Sequence, residues 1–178
     1  MTLGDLNEKQ EMHQAVRVDH AGEYGAKRIY SGQIAVFKMK KDAKTVKLIQ
    51  HMKDQEDIHF DYFDKQIIKN QVRPTIMQPI WNVAGFALGA ATALMGKKAA
   101  MACTVAVEEV IDEHYQNQLD KLQNCDDLKA NIEKFRQEEL EHRDIGLDHN
   151  AEDLAIYKPL SFLIKKASKA AILISSKI

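Results

Sequence analysis

Glu139-Leu140-Glu141-His142 has the same form as Glu56-Asp57-Ile58-His59. Each places a carboxylate and an imidazole three positions apart, and so on one face of a helix. A single Glu-x-x-His is weak evidence, because chance supplies such matches. The flanking residues carry more. Around the first motif a stripe at helical spacing runs through Ile49, Met52, Glu56, His59, Phe63 and Ile67. Around the second it runs through Leu128, Ile132, Phe135, Glu139, His142 and His149. Two more stripes have the same character: Val16, His20, Glu23, Tyr30, Ile34 and Phe37, then Val105, Glu108, Ile111, Tyr115, Leu119 and Leu122. An apolar stripe is the face that a helix buries. Four helices therefore each carry a glutamate toward a common core.

Isolated buried carboxylates are costly and are rarely found without a partner or a metal. Two divalent cations would balance four of them formally, and neutral imidazoles would add no charge. Two helices giving a lone Glu and two giving Glu-x-x-His form the ligand set of carboxylate-bridged dinuclear bundles. The order supports this: Glu23 precedes Glu56 by 33 residues, and Glu108 precedes Glu139 by 31. That reads as two helical hairpins related by a pseudo-twofold. The expected ligands are Glu23, Glu56, His59, Glu108, Glu139 and His142. Mixed carboxylate and imidazole donors suit iron or manganese, with iron the choice if the reaction uses dioxygen.

Working outward, 178 residues suit one domain spanning 1–178. No stretch alternates as an exposed strand does, so the fold is all-α. Helices are expected over about 8–40, 43–70, 79–95, 98–123 and 128–148, with a turn over 124–127 and a sixth helix in the C-terminal tail. The net charge of -1 gives no footprint for a nucleic-acid binder. The two cysteines, Cys103 and Cys125, form no C-x-x-C pair, which excludes a zinc ribbon or a rubredoxin-type site.

Two segments stand apart. From Pro74 to Gly96 there is no charged residue, and Gly85 and Gly89 lie one turn apart, a spacing that allows close helix approach. Pro79 and Asn82 cut the apolar run short of a span, so an interfacial or buried helix is expected, with ordinary core as the competing reading. Phe86 and Leu88 are its expected membrane contacts. After Asp153 the tail has lysines but no acids, interleaved with Leu160, Phe162, Leu163, Ile164, Ile172, Leu173 and Ile174. It reads either as a helix on an anionic membrane surface or as a last bundle helix with exposed lysines. Residues 79–96 and 159–178 are the expected membrane-facing helices.

Neighbouring polar residues have blander readings. Glu109, Asp112, Glu113 and Gln116 form a separate, solvated stripe. Glu138 and Glu141 fall off the Glu139 stripe and are expected at the surface. His20 and His149 read as satisfied core histidines, with ligand orientation as the alternative. His13 and His51 read as polar-face residues.

Four stretches resemble the demethoxyubiquinone hydroxylases, di-iron monooxygenases of ubiquinone biosynthesis. They are Arg17-Val-Asp-His-Ala-Gly-Glu-Tyr-Gly-Ala26, Trp81-Asn-Val-Ala-Gly-Phe-Ala-Leu-Gly-Ala90, Ala102-Cys-Thr-Val-Ala-Val-Glu-Glu109 and Glu138-Glu-Leu-Glu-His-Arg-Asp-Ile-Gly-Leu-Asp-His149. The resemblance implies a ferritin-like four-helix bundle with added apolar helices for membrane contact. It implies the same six ligands, two iron ions, dioxygen as co-substrate, and a polyprenyl quinol whose ring is hydroxylated. NADH or the quinol itself is the implied reductant. The family's His-Tyr pair falls on His114 and Tyr115, which implies substrate contact or electron transfer there, with simple packing the competing reading for Tyr115. Attachment is expected on the cytoplasmic face of a bacterial-type membrane, or on the mitochondrial inner membrane if a presequence is missing. A homodimer, a monomer and a lipid-presenting protein partner all remain open. The rival functions are an iron-storage or peroxide-scavenging ferritin relative and a metal-free membrane-binding module.

Overall fold

The described residues form six α-helices: α1 (Leu3–Met39), α2 (Ala43–Lys69), α3 (Gln78–Leu94), α4 (Lys97–Lys121), α5 (Asp126–Asp148) and α6 (Tyr157–Lys177). The computed structural model describes residues 3–178, with side chains from residue 7 onward, and there is no strand among the described residues. α1 and α2 form a hairpin through a short turn, as do α4 and α5. The hairpins meet along α1 with α4 and α2 with α5, giving a ferritin-like bundle. α3 runs along α1 and delivers the chain from one hairpin to the other, and α6 lies over α4 and α1.

The stripes account for this packing. Ile34, Phe37, Ile49, Met52, Met101 and Val105 belong to one apolar block. Val16, Phe63, Tyr115, Leu128, Ile132 and Phe135 belong to another. On each of the four bundle helices the stripe glutamate falls between the two blocks. A large apolar side chain buried in either block contributes on the order of 1.5–3 kcal/mol. Sums of that size offset the cost of holding carboxylates between them.

Each of the five connections contains a residue with positive φ: Lys41 (58°), Gln71 (53°), Gly96 (115°), Asn124 (54°) and Asn150 (62°). That conformation stops a right-handed helix. Asp42 caps α2 by accepting from the Thr45 backbone N–H at 3.0 Å. Asp126 and Asp127, expected in a turn, instead form the first turn of α5, where acids meet the positive end of the helix dipole. A one-turn 3-10 helix, Ala151–Asp153, was not foreseen, because it is too short to show a period.

The glycine pair of α3 is used inside the chain. A Cβ on Gly89 would lie 1.9 Å from the Ile29 carbonyl oxygen, and one on Gly85 2.9 Å from that of Gly25. α1 reciprocates at Gly32, whose Cβ would lie 2.2 Å from the Phe86 oxygen. The close approach that these residues permit within the chain is therefore between α3 and α1.

No helix among the described residues is long and apolar enough to cross a membrane. α3 and its approach expose Ile76, Ile80, Val83 and Leu94, while α6 exposes Phe162, Leu163 and Leu173. Phe86 is at the surface beside Arg28, but Leu88 is half-buried and packs inward. The tail packs as a last bundle helix. α6 buries Ser161, Ile164 and Ser175 on the bundle, and Lys165 and Lys169 pair with Glu109 and Glu113 of α4.

Candidate metal centre

Near the midpoints of α1, α2, α4 and α5, six buried side chains converge. Glu23, Glu56, His59 and Glu139 offer donor atoms within 4.8 Å of one another, and so do Glu56, Glu108, Glu139 and His142. Glu56 and Glu139 belong to both groups. The arrangement can thus hold two cations, each with its own Glu and His, and two carboxylates placed between them.

Both imidazoles point Nδ1 inward. His59 Nδ1 lies 3.0 Å from Glu139 and 3.4 Å from Glu23. His142 Nδ1 lies 3.1 Å from Glu139 and 3.2 Å from Glu56. The outer Nε2–H groups then donate away from the centre: His59 to Glu138 at 2.6 Å, and His142 to Gln55 at 2.9 Å. Tyr30 donates to Glu108 Oε1 at 2.8 Å, and Tyr115 donates to Glu23.

Electrostatics show what the cluster lacks. Burial, then the neighbouring carboxylates, push Glu56 well above the usual carboxylate range. Burial likewise raises Glu108, helped by the charge of Glu139. Burial alone would lower His59, but bonds to Glu139 and Glu23 raise it to about 12. Burial would raise Glu139, but bonds from His142 and His59 overcome it and hold the carboxyl low. Without cations the histidines thus supply the positive charge. Even then both oxygens of Glu56 and one of Glu108 are buried with no hydrogen-bond partner. A buried polar atom left so costs about 1–3 kcal/mol, and more if charged. Two divalent ions would satisfy these atoms and free the imidazoles as neutral donors, and the oxygen-rich set suits iron or manganese.

All six expected residues meet here. His114 does not: it bonds buried Asp19 at 3.2 Å, and Gln118 also donates to Asp19, at 2.7 Å. Tyr115 reaches the cluster through Glu23. Glu109 is half-exposed and points to Lys165. His20 lies beside Asp64 and Phe60, and His149 bonds the Ile145 carbonyl, so neither orients a ligand. Glu141 is exposed, but Glu138 corrects the expectation of a surface residue, since α2 covers it and His59 donates to it. Tyr30, named only as a stripe residue, and Gln55, not named at all, also contact the centre. One signal was present for Tyr30: it follows Glu23 by seven residues, as Tyr115 follows Glu108.

A cavity of about 170 Å³ lies between α1, α3, α4 and α6, walled by Ile29, Trp81, Leu88, Ile111 and Ile172. Gly22 and Val107 also line it, and each directly precedes a glutamate of the cluster, Glu23 and Glu108. The apolar space therefore lies beside the stretches of α1 and α4 that carry Glu23 and Glu108, with neither glutamate in its wall.

The family model for ubiquinone biosynthesis protein COQ7 matches residues 10–175. The chain is 52% identical over 174 residues to a Dictyostelium discoideum protein, NADPH-dependent 3-demethoxyubiquinone 3-hydroxylase, mitochondrial; the match covers 96% of this chain and 79% of that protein. It is 48% identical over 176 residues to the 3-demethoxyubiquinol 3-hydroxylase of Rhodospirillum rubrum, covering 98% and 82%. The Homo sapiens protein, named like that of Dictyostelium, is 48% identical over 183 residues, covering 100% and 82%.

Proposed function

The chain belongs to the family of ubiquinone biosynthesis protein COQ7, and on that premise we propose that it is a 3-demethoxyubiquinol 3-hydroxylase acting through two iron ions. The observation that carries the reading is the pair of donor groups sharing Glu56 and Glu139. Glu23 and His59 would complete one iron position, and Glu108 and His142 the other. When bound, the irons supply dioxygen activation, the chemistry that no protein side chain provides. One oxygen atom goes to the ring carbon, the other leaves as water, and two electrons come from a reduced nicotinamide. The names of the Dictyostelium and human relatives specify NADPH.

The chain's own residues do the positioning. Tyr30 and Tyr115 each fix one terminal glutamate by a hydrogen bond. Glu138 and Gln55 fix the rotation of the two imidazoles. The two apolar blocks keep bulk water from the centre. The cavity admits the quinol ring from the α3–α6 side, with the prenyl tail left between those helices. The exposed faces of α3 and α6 then rest on the membrane that holds the quinone, without crossing it, and 1–178 acts as one domain.

Mössbauer spectroscopy of iron-57-loaded chain tests the centre. The expected result is two antiferromagnetically coupled ferric ions per chain. Anaerobic loading followed by demethoxyubiquinol, NADPH and dioxygen should yield the ring-hydroxylated quinol. A single mononuclear ion, or none, in folded protein would remove the basis of the proposal.

A further inference from the structure

Several of the contacts around the six residues are related by the pseudo-twofold. Tyr30 and Tyr115, each seven residues after the terminal glutamate of its own half, donate across to the glutamate of the other half. The residues directly before the two Glu-x-x-His motifs also reach across. Gln55 accepts from His142, and Glu138 accepts from His59. The symmetry breaks in the chemistry of that last pair, because one acceptor is an amide and the other a carboxylate.

A carboxylate draws on an imidazole N–H more strongly than an amide does, and the shorter 2.6 Å separation at Glu138, against 2.9 Å at Gln55, fits this. The opposite ring nitrogen becomes the better donor to a cation. The carboxylate also brings negative charge to one side of the centre. Lys134 lies 3.7 Å from the other Glu138 oxygen, but its side chain is 62% exposed, so water screens it and little of that charge is cancelled. Phe135 covers the His59 ring, with centroids 4.2 Å apart, which limits water there.

We infer that Glu138 and Gln55 make the two positions unequal: the one held by Glu23 and His59 takes its divalent cation first, and the one held by Glu108 and His142 second. Glu138 is a positioning residue that acts through His59. The inference rests on the metal centre proposed above.

Metal-free chain given one equivalent of Mn2+ and crystallised reports, by anomalous scattering, which position is filled. In the wild-type chain the ion is expected beside Glu23 and His59. The double variant Gln55→Glu, Glu138→Gln exchanges the two acceptors and moves the ion beside Glu108 and His142. Glu138→Gln alone weakens the first step of a calorimetric Mn2+ titration by about tenfold or more, the scale on which such partners of metal-binding histidines act. Unfolding curves of the metal-free variants check that each is folded. If Glu138→Gln is not, Gln55→Glu carries the test and is expected to divide the ion between the two positions. Equal signals in the wild type, or an unchanged preference in the variants, overturn the inference and leave the centre standing. Absence of bound Mn2+ in folded wild-type chain overturns the centre, and the inference with it.

Discussion

Tyr30 on α1 donates its hydroxyl to Oε1 of Glu108 on α4 across 2.8 Å, and both side chains are buried. The bond ties the two hairpins together beside the centre. Burial, then the charge of Glu108, pushes the phenol well above its usual pKa, so it remains a donor. The second Glu108 oxygen has no partner. Tyr30→Phe would strand the whole carboxylate. The expected loss in metal-free chain is about 1–3 kcal/mol, the cost of leaving a buried polar group without its partner. Urea unfolding measures it, and an unchanged midpoint would mean that the bond contributes nothing net.

Adjacent glutamates on α4 are expected to behave oppositely. Glu108 is 2% exposed and faces the cluster, whereas Glu109 is half-exposed and pairs with Lys165. Glu108→Ala should lower iron below two per chain in elemental analysis, and Glu109→Ala should leave it unchanged. The reverse result would show that the helix register of the centre is wrong.

Gly89→Ala should separate α3 from α1. Its Cβ would lie 1.9 Å from a backbone oxygen that no rotamer change can move. The expected cost is at least about 1–3 kcal/mol by chemical denaturation, the usual range for overpacking. Gly25→Ala is the control, since nothing lies within 4 Å of its Cβ. In mid-helix that change should gain about 0.5–1 kcal/mol. Equal effects at the two positions would refute the close α1–α3 contact.

Val83 and Leu163 are 69% and 65% exposed, on α3 and α6. Replacing both with Ser should reduce co-flotation with vesicles containing anionic lipid, while iron content stays the same. Unchanged flotation would rule out these faces as the membrane contact.

Asp42 titrates with the fold. Hydrogen bonds from the Thr45 side chain and then from its backbone N–H depress the carboxyl below its ordinary value of 3.8. A depressed carboxylate stabilises the native state above the unfolded pKa, and that contribution fades as pH falls through the folded one. Asp42→Ala should therefore lower the melting temperature at pH 7. The difference should shrink below pH 3.8 and vanish in stronger acid. A difference that persists there would assign the effect to something other than the charged cap.

The helical period within each segment determined much of this protein. Glu23, Glu56, His59, Glu108, Glu139 and His142 could be picked out because each sits on an apolar stripe, and a stripe is a property of one helix alone. The bundle followed, since four such faces have to cover one another. Helix ends were legible to within a few residues, because Asp42, Gly96 and Asn124 act through local backbone geometry.

Only the tertiary structure decided what lies one step off each stripe. Glu138 is turned about 100° from Glu139 around its helix, which by periodicity is a surface direction. Lateral packing of α2 beside α5 brings His59 Nε2 to it. Gln55 lacked a signal for the same reason, and Gly85 and Gly89 could not name α1 as their neighbour. A helix sequence encodes which face is buried, but not which neighbour covers its flank. That depends on how helices distant in sequence cross, and no single segment carries the information.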